Sequence, residues 1–265
     1  MQTADATPPE GEPNPNEERY FITALARGLD VLACFKADDA TLSNQQIAER
    51  CKLPKSTVTR ITFTLTRRGF LTQTKENGGR FSLGVGTWAL GSAMLNRMGV
   101  RQVARPMMQE LADFADAAVS LAVRDRLSMI YVEVCRSSSA LSLTLQVGSR
   151  IPLATSAIGR AYLASASESE RNEIFARTRE FDESAYRQLR REYERGQEDH
   201  RRYGCCTSFG DWQPDINGIA IGFFPAGGPT PMAINCGGLA AQLPPKFLLD
   251  KVRPRLQSIL ERITV

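Results

Sequence analysis

Histidine is nearly absent from this chain, since His200 is the single histidine among 265 residues. The six cysteines show neither a C-x-x-C pair nor the Cys/His spacing of a zinc site, so the sequence predicts no bound metal. A Ser-His or Cys-His catalytic pair would have to use His200, which lies in the charged run 194–202, typical of a solvated helix. The adjacent Cys205 and Cys206 allow a redox pair, but buried or pocket-lining thiols in a reducing cytosol are the favoured interpretation.

Long apolar runs are absent as well. No segment approaches the roughly 20 apolar residues that cross a bilayer, and the first residues lack the charged and apolar regions of a signal peptide. Residues 1–18, rich in Pro, Glu, Asn and Thr, predict a disordered leader. The sequence therefore predicts a cytoplasmic protein with no membrane partner and no cofactor, long enough for two domains.

Residues 41–83 have the pattern of a helix-turn-helix followed by a wing. Ser43 and Gln46 have the spacing of a capping box at the start of a helix that runs from Asn44 to about Arg50. After a short turn, Pro54 opens a second helix over residues 55–68. Short polar and cationic groups at the start of such a helix suit base edges and phosphates in the major groove. The predicted DNA-binding side chains of the two helices are Ser43, Gln45, Lys55, Ser56, Thr57, Thr59 and Arg60.

The wing is predicted from two short alternating runs, 70–73 and 80–83, around a Gly-rich polar turn, which indicate a β-hairpin. Lys75 and Arg80 are placed to touch phosphate or the minor groove, although a solvated loop charge is the alternative for each. Residues 84–89 imitate a dinucleotide-binding G-x-G-x-x-A, but they follow a wing strand, and no βαβ unit surrounds them.

Positive charge is concentrated in the same segment. From Arg19 to Leu83, eleven Lys or Arg stand against five Asp or Glu, a net charge of +6 in a chain whose total is +4. This is the electrostatic pattern expected of phosphate contacts, and double-stranded DNA is the predicted partner.

The second half of the chain mixes strands and helices. Helical periodicity covers residues 85–98 and 101–117, and a further helix is predicted to start at Thr155-Ser156. Helices are also predicted at 168–177, 182–203 and 245–263, and strands at 119–124, 129–135, 141–146, 217–224 and 231–236. Strands before and after a helical block favour an α+β domain with an antiparallel sheet.

The order of these parts resembles the isocitrate-lyase-regulator (IclR) family of bacterial transcription factors from about Phe21 onward. The segments that carry the resemblance are 24–32 (ALARGLDVL), 53–60 (LPKSTVTR), 80–84 (RFSLG), 147–153 (VGSRIPL) and 155–161 (TSAIGRA). The resemblance implies an N-terminal winged helix-turn-helix at 19–83, a linker helix at 84–100 and a GAF-like α/β effector-binding domain at 101–265. It also implies a homodimer or a dimer of dimers on a near-palindromic operator, with a small organic acid or aromatic compound as the effector.

The same resemblance places an effector pocket. Its family position for a carboxylate falls on Ser208 or Phe209, neither of which is acidic. Either Asp211 takes that role or the effector is less polar. Core packing is the alternative role for each residue of the pocket. The effector-binding residues implied in this way are Ala157, Ile158, Ser208, Phe209, Asp211, Asn235 and Gly237.

Two other functions fit parts of the pattern. A small-molecule hydrolase with an accessory winged helix is opposed by the single histidine and by the lack of a G-x-S-x-G or paired-carboxylate motif. A winged helix used only for protein contacts is opposed by the charge of +6. The sequence therefore predicts a transcriptional regulator that is not an enzyme and whose operator binding responds to an effector.

Overall fold

The computed structural model describes residues 20–36, 38–74, 79–138, 145–226, 228 and 230–264. The chain divides into two compact units with the boundary between Met94 and Leu95. The leader predicted for residues 1–18, Lys75 of the wing turn, and residues 141–144 of the predicted third strand lie outside the described residues. Within the described part of the chain, no helix combines the length and the apolar character needed to cross a bilayer.

The N-terminal unit contains the predicted helix pair and hairpin. Helix α1 spans Thr23–Ala33, α2 spans Asn44–Cys51 and α3 spans Lys55–Arg67. Strands β1 (Leu71–Gln73) and β2 (Phe81–Leu83) pair antiparallel, and Leu42 forms a bridge to Phe81 beside them. The predicted capping box is confirmed, because Ser43 Oγ accepts the Gln46 N–H at 3.2 Å and Gln46 Oε1 accepts the Ser43 N–H at 2.9 Å.

This unit has its own apolar core. Val31 of α1, Ile47 of α2 and Val58 of α3 are fully buried, together with Leu71 and Phe81 of the hairpin. Each element therefore contributes its apolar face to one centre, and the polar face of α3 is left on the surface.

The segment that imitates a dinucleotide motif has a packing explanation. A Cβ at Gly84 would overlap the Gly69 carbonyl oxygen, and one at Gly86 would lie 2.9 Å from the same atom. Gly69 itself has a φ of +77°, which favours glycine. These glycines thus allow helix α4, Val85–Asn96, to start close against the end of α3.

The C-terminal unit is built on one antiparallel sheet. Among the described residues, six strands follow the order β5-β4-β3-β8-β7-β6. They are β3 (Ala118–Asp125), β4 (Ser128–Arg136), β5 (Arg150–Pro152), β6 (Cys206–Phe209), β7 (Ile216–Phe223) and β8 (Met232–Leu239). The helices are α5 (Gly99–Ala115), α6 (Ala157–Ser165), α7 (Glu168–Phe181), α8 (Glu183–Tyr203), α9 (Pro245–Phe247) and α10 (Arg253–Ile263).

Each face of the sheet is covered by a different set of helices. Helices α5 and α10 bury residues such as Met108 and Leu256 against one face. Helices α6, α7 and α8 bury residues such as Ile158, Phe175 and Leu189 against the other. The predicted α+β class with an antiparallel sheet is confirmed.

The C-terminal helix differs from its prediction. Instead of one helix over 245–263, a π-helical turn at Leu248–Val252 separates α9 from α10. Pro254 has no N–H to donate, and its ring would clash with the carbonyl of Asp250 in an α-helix. The Arg253 N–H instead bonds to the Leu248 carbonyl, which widens the helix by one residue at this point.

Candidate functional site

The surface of the helix pair brings together several of the predicted DNA-binding residues. Lys55 Nζ at the start of α3 donates to Gln45 Oε1 of α2 at 3.2 Å. Asn44, which is not among the residues predicted from the sequence, donates from Nδ2 to Thr59 Oγ1 at 2.7 Å. These bonds fix the first turns of both helices to each other, so that their polar groups form one surface.

Ser56, Thr57 and Arg60 lie on the same surface, but their side chains are not tied to neighbouring residues. Ser56 and Arg60 are exposed and Thr57 is half-buried, and within the described residues none of these side chains has a hydrogen bond. Their polar groups therefore remain available to an external partner. Ser43, in contrast, uses its hydroxyl in the capping box.

The Arg80 side chain is held in place by hydrogen bonds within the N-terminal unit. Its Nε donates to Thr41 Oγ1 at 2.7 Å, and its Nη2 donates to the Thr41 carbonyl at 2.9 Å and to Gln46 Oε1 at 3.0 Å. The same Gln46 oxygen completes the capping box of α2. Arg80 thus fixes strand β2 to the start of α2, in addition to any contact with phosphate.

The C-terminal unit contains a cavity between the start of α6, the sheet and the loop that follows β6. The space among its lining residues is about 490 Å³ when the open solvent at its mouth is included, and only about 40 Å³ of it is enclosed. Its walls are formed by Ala118, Ser120, Tyr131, Leu145, Ile151, Ser156, Ala157, Ile158, Ser208, Trp212, Ile216, Asn217, Gly218, Asn235 and Gly237.

Two kinds of polar group face this space. Ala157 and Ile158 form the first turn of α6, where backbone N–H groups have no carbonyl partner within the helix and favour an anion. Of the free N–H groups in this turn, the Ser156 hydroxyl accepts only that of Gly159, at 3.1 Å. Elsewhere in the lining, Asn235 Oδ1 is buried without a hydrogen-bond partner among the described residues.

A buried tyrosine completes the polar part of the lining. Burial raises the pKa of Tyr131 to about 12, although hydrogen bonding with Asn235 and Ser120 opposes the rise. Tyr131 therefore stays neutral at physiological pH, so its hydroxyl can act as both a donor and an acceptor. Apolar walls with a few fixed polar groups are the usual character of a small-molecule site.

The structure separates the predicted effector residues into two groups. Ala157, Ile158, Ser208, Asn235 and Gly237 line the cavity. Phe209 and Asp211 do not belong to its lining.

Strand geometry and ion pairing explain the positions of these two residues. Adjacent residues of a strand face opposite sides, so Phe209 packs on the α5 side of the sheet while Ser208 faces the cavity. The Asp211 carboxylate is instead paired with Arg160 and Arg195.

The candidate catalytic residues His200, Cys205 and Cys206 do not line the cavity. His200 is exposed on α8. Cys205 and Cys206 are both buried, and neither forms a disulfide within the described residues. Burial raises the pKa of the Cys205 thiol to about 11 and raises that of Cys206 further still. The reactive thiolate is therefore suppressed at both positions.

Known proteins match both units. Residues 24–75 match the family described as IclR helix-turn-helix domain, and residues 92–264 match Bacterial transcriptional regulator IclR C-terminal. The HTH-type transcriptional regulator TsaQ1/TsaQ2 of Comamonas testosteroni is 31% identical over 245 residues, covering 92% of this chain and 87% of that protein. The chain belongs to the IclR family of bacterial transcriptional regulators.

Solved structures agree with the assignment to the IclR family. The crystal structure of an IclR family transcriptional regulator from Brucella abortus is 42% identical, with a TM-score of 0.80 and 95% of each chain covered. An IclR homolog from Microbacterium hydrocarbonoxydans, crystallised with 4-hydroxybenzoate, shares the fold at 24% identity, with a TM-score of 0.66 and 90% of this chain and 99% of that chain covered. As an IclR regulator, the chain combines a helix-turn-helix DNA-binding domain with a C-terminal effector-binding domain.

Several lining residues of this IclR domain were not predicted from the sequence. Ser120 is 1% exposed between Val119 and Leu121, and a polar residue in so apolar a strand is a signal that could have been used. Tyr131 and Trp212 gave no comparable signal, because aromatic residues are equally common in cores. Their place in the cavity depends on strand order and loop path, which the local sequence does not contain.

Proposed function

We propose that this regulator binds a near-palindromic operator through the exposed face of α3 and that a small carboxylate in the cavity changes that binding. The observation that carries the proposal is the cavity itself. Unpaired backbone N–H groups at Ala157 and Ile158 and a buried, unpartnered Asn235 oxygen share one mostly apolar enclosure.

The DNA part of the proposal rests on charge and exposure. Ser56, Thr57 and Arg60 carry free polar groups at the start of α3, with Lys55 and Thr59 beside them. Gln45 is held next to Lys55, Arg80 directly precedes strand β2 of the wing, and Lys75 is predicted from the sequence to contact DNA as well. The net charge of +6 between Arg19 and Leu83 supports binding to the phosphate backbone.

The effector is proposed to be an acid that carries an aromatic ring or a short carbon skeleton. The start of α6 suits a carboxylate, and Ile151, Ile158 and Trp212 supply apolar contact. The homolog crystallised with 4-hydroxybenzoate shares this fold, and we propose the same class of compound here.

A thermal-shift series tests the effector proposal. Benzoate, 4-hydroxybenzoate and the uncharged benzyl alcohol are compared, and operator affinity is measured by fluorescence anisotropy on DNA selected by the protein from a random pool. A bound acid stabilises the protein by about 2.7 kcal/mol at a hundredfold excess over its Kd. The proposal requires that an acid both raises the melting temperature and changes operator affinity. Stabilisation by the alcohol alone would contradict it.

The proposed assembly is a homodimer, or a dimer of such dimers, in the cytoplasm, where operator DNA lies. Leu25 and Leu29 lie one turn apart on α1 and are 59% and 57% exposed, and Ile22, directly before the helix, is 64% exposed. Leu90, 63% exposed, lines the same groove of the N-terminal unit as Leu25 and Leu29. A second copy would cover this apolar surface and give the two-fold symmetry that a palindromic operator requires.

A further inference from the structure

Trp212 forms one wall of the cavity and comes from the loop of residues 210–215 between β6 and β7. The base of this loop is closed by the Gly210 N–H, which donates to the Ile216 carbonyl at 3.0 Å. Gly210 has a φ of +78°, a conformation that favours glycine at the turn. These features close the hairpin, but they do not by themselves fix the side of the loop on which Trp212 lies.

Asp211, directly before Trp212, holds the loop to two helices. Its Oδ2 accepts from Arg160 Nη1 of α6 at 2.9 Å, and its Oδ1 accepts from Arg195 Nη1 of α8 at 2.8 Å. The Arg160 side chain is fully buried, whereas the Arg195 side chain is 49% exposed. The two ion pairs on one carboxylate therefore lie in very different surroundings. The pair with Arg160 is shielded from water, and the pair with Arg195 is not.

Arg160 also connects the loop to the rest of the cavity. Its Nη1 donates to the Thr207 carbonyl on β6 at 2.5 Å, next to the lining residue Ser208, and its Nη2 pairs with Glu192 of α8. Helix α6, which carries Arg160, also provides Ala157 and Ile158 at its first turn. One guanidinium thus joins the anion-favouring end of the cavity to the strand and loop that form the opposite lining.

The electrostatics favour an intact anchor at neutral pH. Burial raises the pKa of Asp211, but the hydrogen bonds and charges of Arg160 and Arg195 outweigh burial and leave that pKa below its ordinary value. The carboxylate is therefore ionised. Without Asp211, the buried guanidinium of Arg160 would keep only the Glu192 carboxylate as a counter-charge.

We propose that Arg160 and Asp211 are positioning residues that hold Trp212 as a wall of the effector cavity. The inference deepens the function proposed above and rests on it for the identity of the cavity as the effector site. Asp211 then acts from outside the cavity, and its role is to set the shape of the site through its neighbour in the chain.

Tryptophan fluorescence gives a direct test, because the chain has two tryptophans and Trp88 is 71% exposed. In a W88F background, Trp212 is the only tryptophan, and under excitation that spares the tyrosines its quenching by acrylamide measures access to this wall. The W88F protein unfolded in urea supplies the fully accessible reference. We expect weak quenching in the folded W88F protein. In folded W88F/D211A we expect stronger quenching, shifted toward the unfolded reference, and a red shift of the emission.

Arg195 provides the matched control, because R195A removes the exposed partner of the same carboxylate and leaves Arg160 in place. Quenching in W88F/R195A should stay close to that of the W88F parent. Equal quenching in W88F/D211A and the parent, with an unchanged circular dichroism spectrum, would overturn the proposal. So would an R195A effect as large as that of D211A. If D211A does not fold, D211N keeps the side-chain size and is expected to change quenching in the same direction.

A ligand arm uses 4-hydroxybenzoate as the probe. If it raises the melting temperature of the parent, the rise should shrink in D211A and persist in R195A. A persistent rise in D211A would contradict the positioning role. The quenching arm involves neither DNA nor ligand, so a failure of the regulatory function and a failure of the positioning role give different results.

Discussion

At the scale of single residues, Arg60 gives the most direct test of the DNA-binding surface. It is exposed on α3, and its guanidinium has no hydrogen bond within the described residues, unlike that of Arg80. If Arg60 binds a base edge, R60A should weaken operator binding by about 1–3 kcal/mol and relax the preference for one base. Anisotropy titrations on the selected operator and on single-base variants measure both effects.

The salt dependence of the same titrations separates a base contact from a phosphate contact. Loss of a phosphate contact reduces the slope of log K against log salt by about one and weakens all DNA sequences alike. R67A is the matched control, because Arg67 is an exposed cation at the other end of α3 and lies over the Phe63 ring. Unchanged affinity in R60A would remove Arg60 from the reading surface.

Residue roles were the part of the site that the sequence predicted least well. Ser208, Asn235 and Gly237 reach the cavity, but Asp211 is used by Arg160, which lies fifty-one positions earlier in the chain. A linear alignment places a residue on a strand or in a loop, whereas the direction of its side chain depends on what the folded chain puts beside it. The pairing of the Asp211 carboxylate with Arg160 and Arg195 could not be predicted from the positions of these residues in the chain.

At the scale of elements, the capping box at the start of α2 has a measurable value. Ser43 accepts one free N–H of the helix, and Gln46 accepts both the Ser43 N–H and Arg80 Nη2. S43A should destabilise the N-terminal unit by about 0.5–2 kcal/mol, because the Gln46 N–H loses its partner. Urea unfolding followed by far-UV circular dichroism measures the change as a lower midpoint of the transition of that unit.

Ser56 is the control for the capping prediction, since it is an exposed serine on α3 whose hydroxyl has no hydrogen bond within the described residues. S56A removes the same hydroxyl without removing a cap, so it should leave the unfolding midpoint nearly unchanged. If S43A and S56A shift the midpoint equally, the cap does not stabilise the unit.

Elements were predictable where a local rule specifies them. The capping residues gave the starts of α2 and α6, and alternation gave β3, β4 and β7 within one residue of their observed bounds, whereas β8, predicted at 231–236, ends three residues later at Leu239. Strands β5 and β6 were missed because they are three and four residues long, and β6 (Cys206–Phe209) has no alternating apolar pattern. Their pairing with β4 and β7 specifies them, and that pairing is a property of the sheet.

At the scale of the whole molecule, the order of domains followed from the sequence, but the partner surface did not. Leu25 and Leu29 on α1 lie in the segment 24–32 that carries the family resemblance, and the sequence alone does not show that they are exposed. In the structure only Val31 of α1 is buried, so much of the apolar surface of this helix remains uncovered. A helix with this much exposed apolar surface is expected to be completed by a second chain.

That expectation makes the oligomeric state the last prediction. L25D places a carboxylate on the apolar stripe of α1, which is formed by Leu25 and Leu29. This substitution should lower the mass measured by light scattering to that of a monomer. Each leucine removed from such an interface reduces the free energy of association by about 1.5–3 kcal/mol, and a two-fold symmetric dimer loses this amount once in each chain. F181D is the matched control, because Phe181 is an 89% exposed apolar residue on α7, which belongs to the C-terminal unit and not to α1. F181D should keep the parental mass, and a parental mass in L25D would show that α1 does not form the contact between chains.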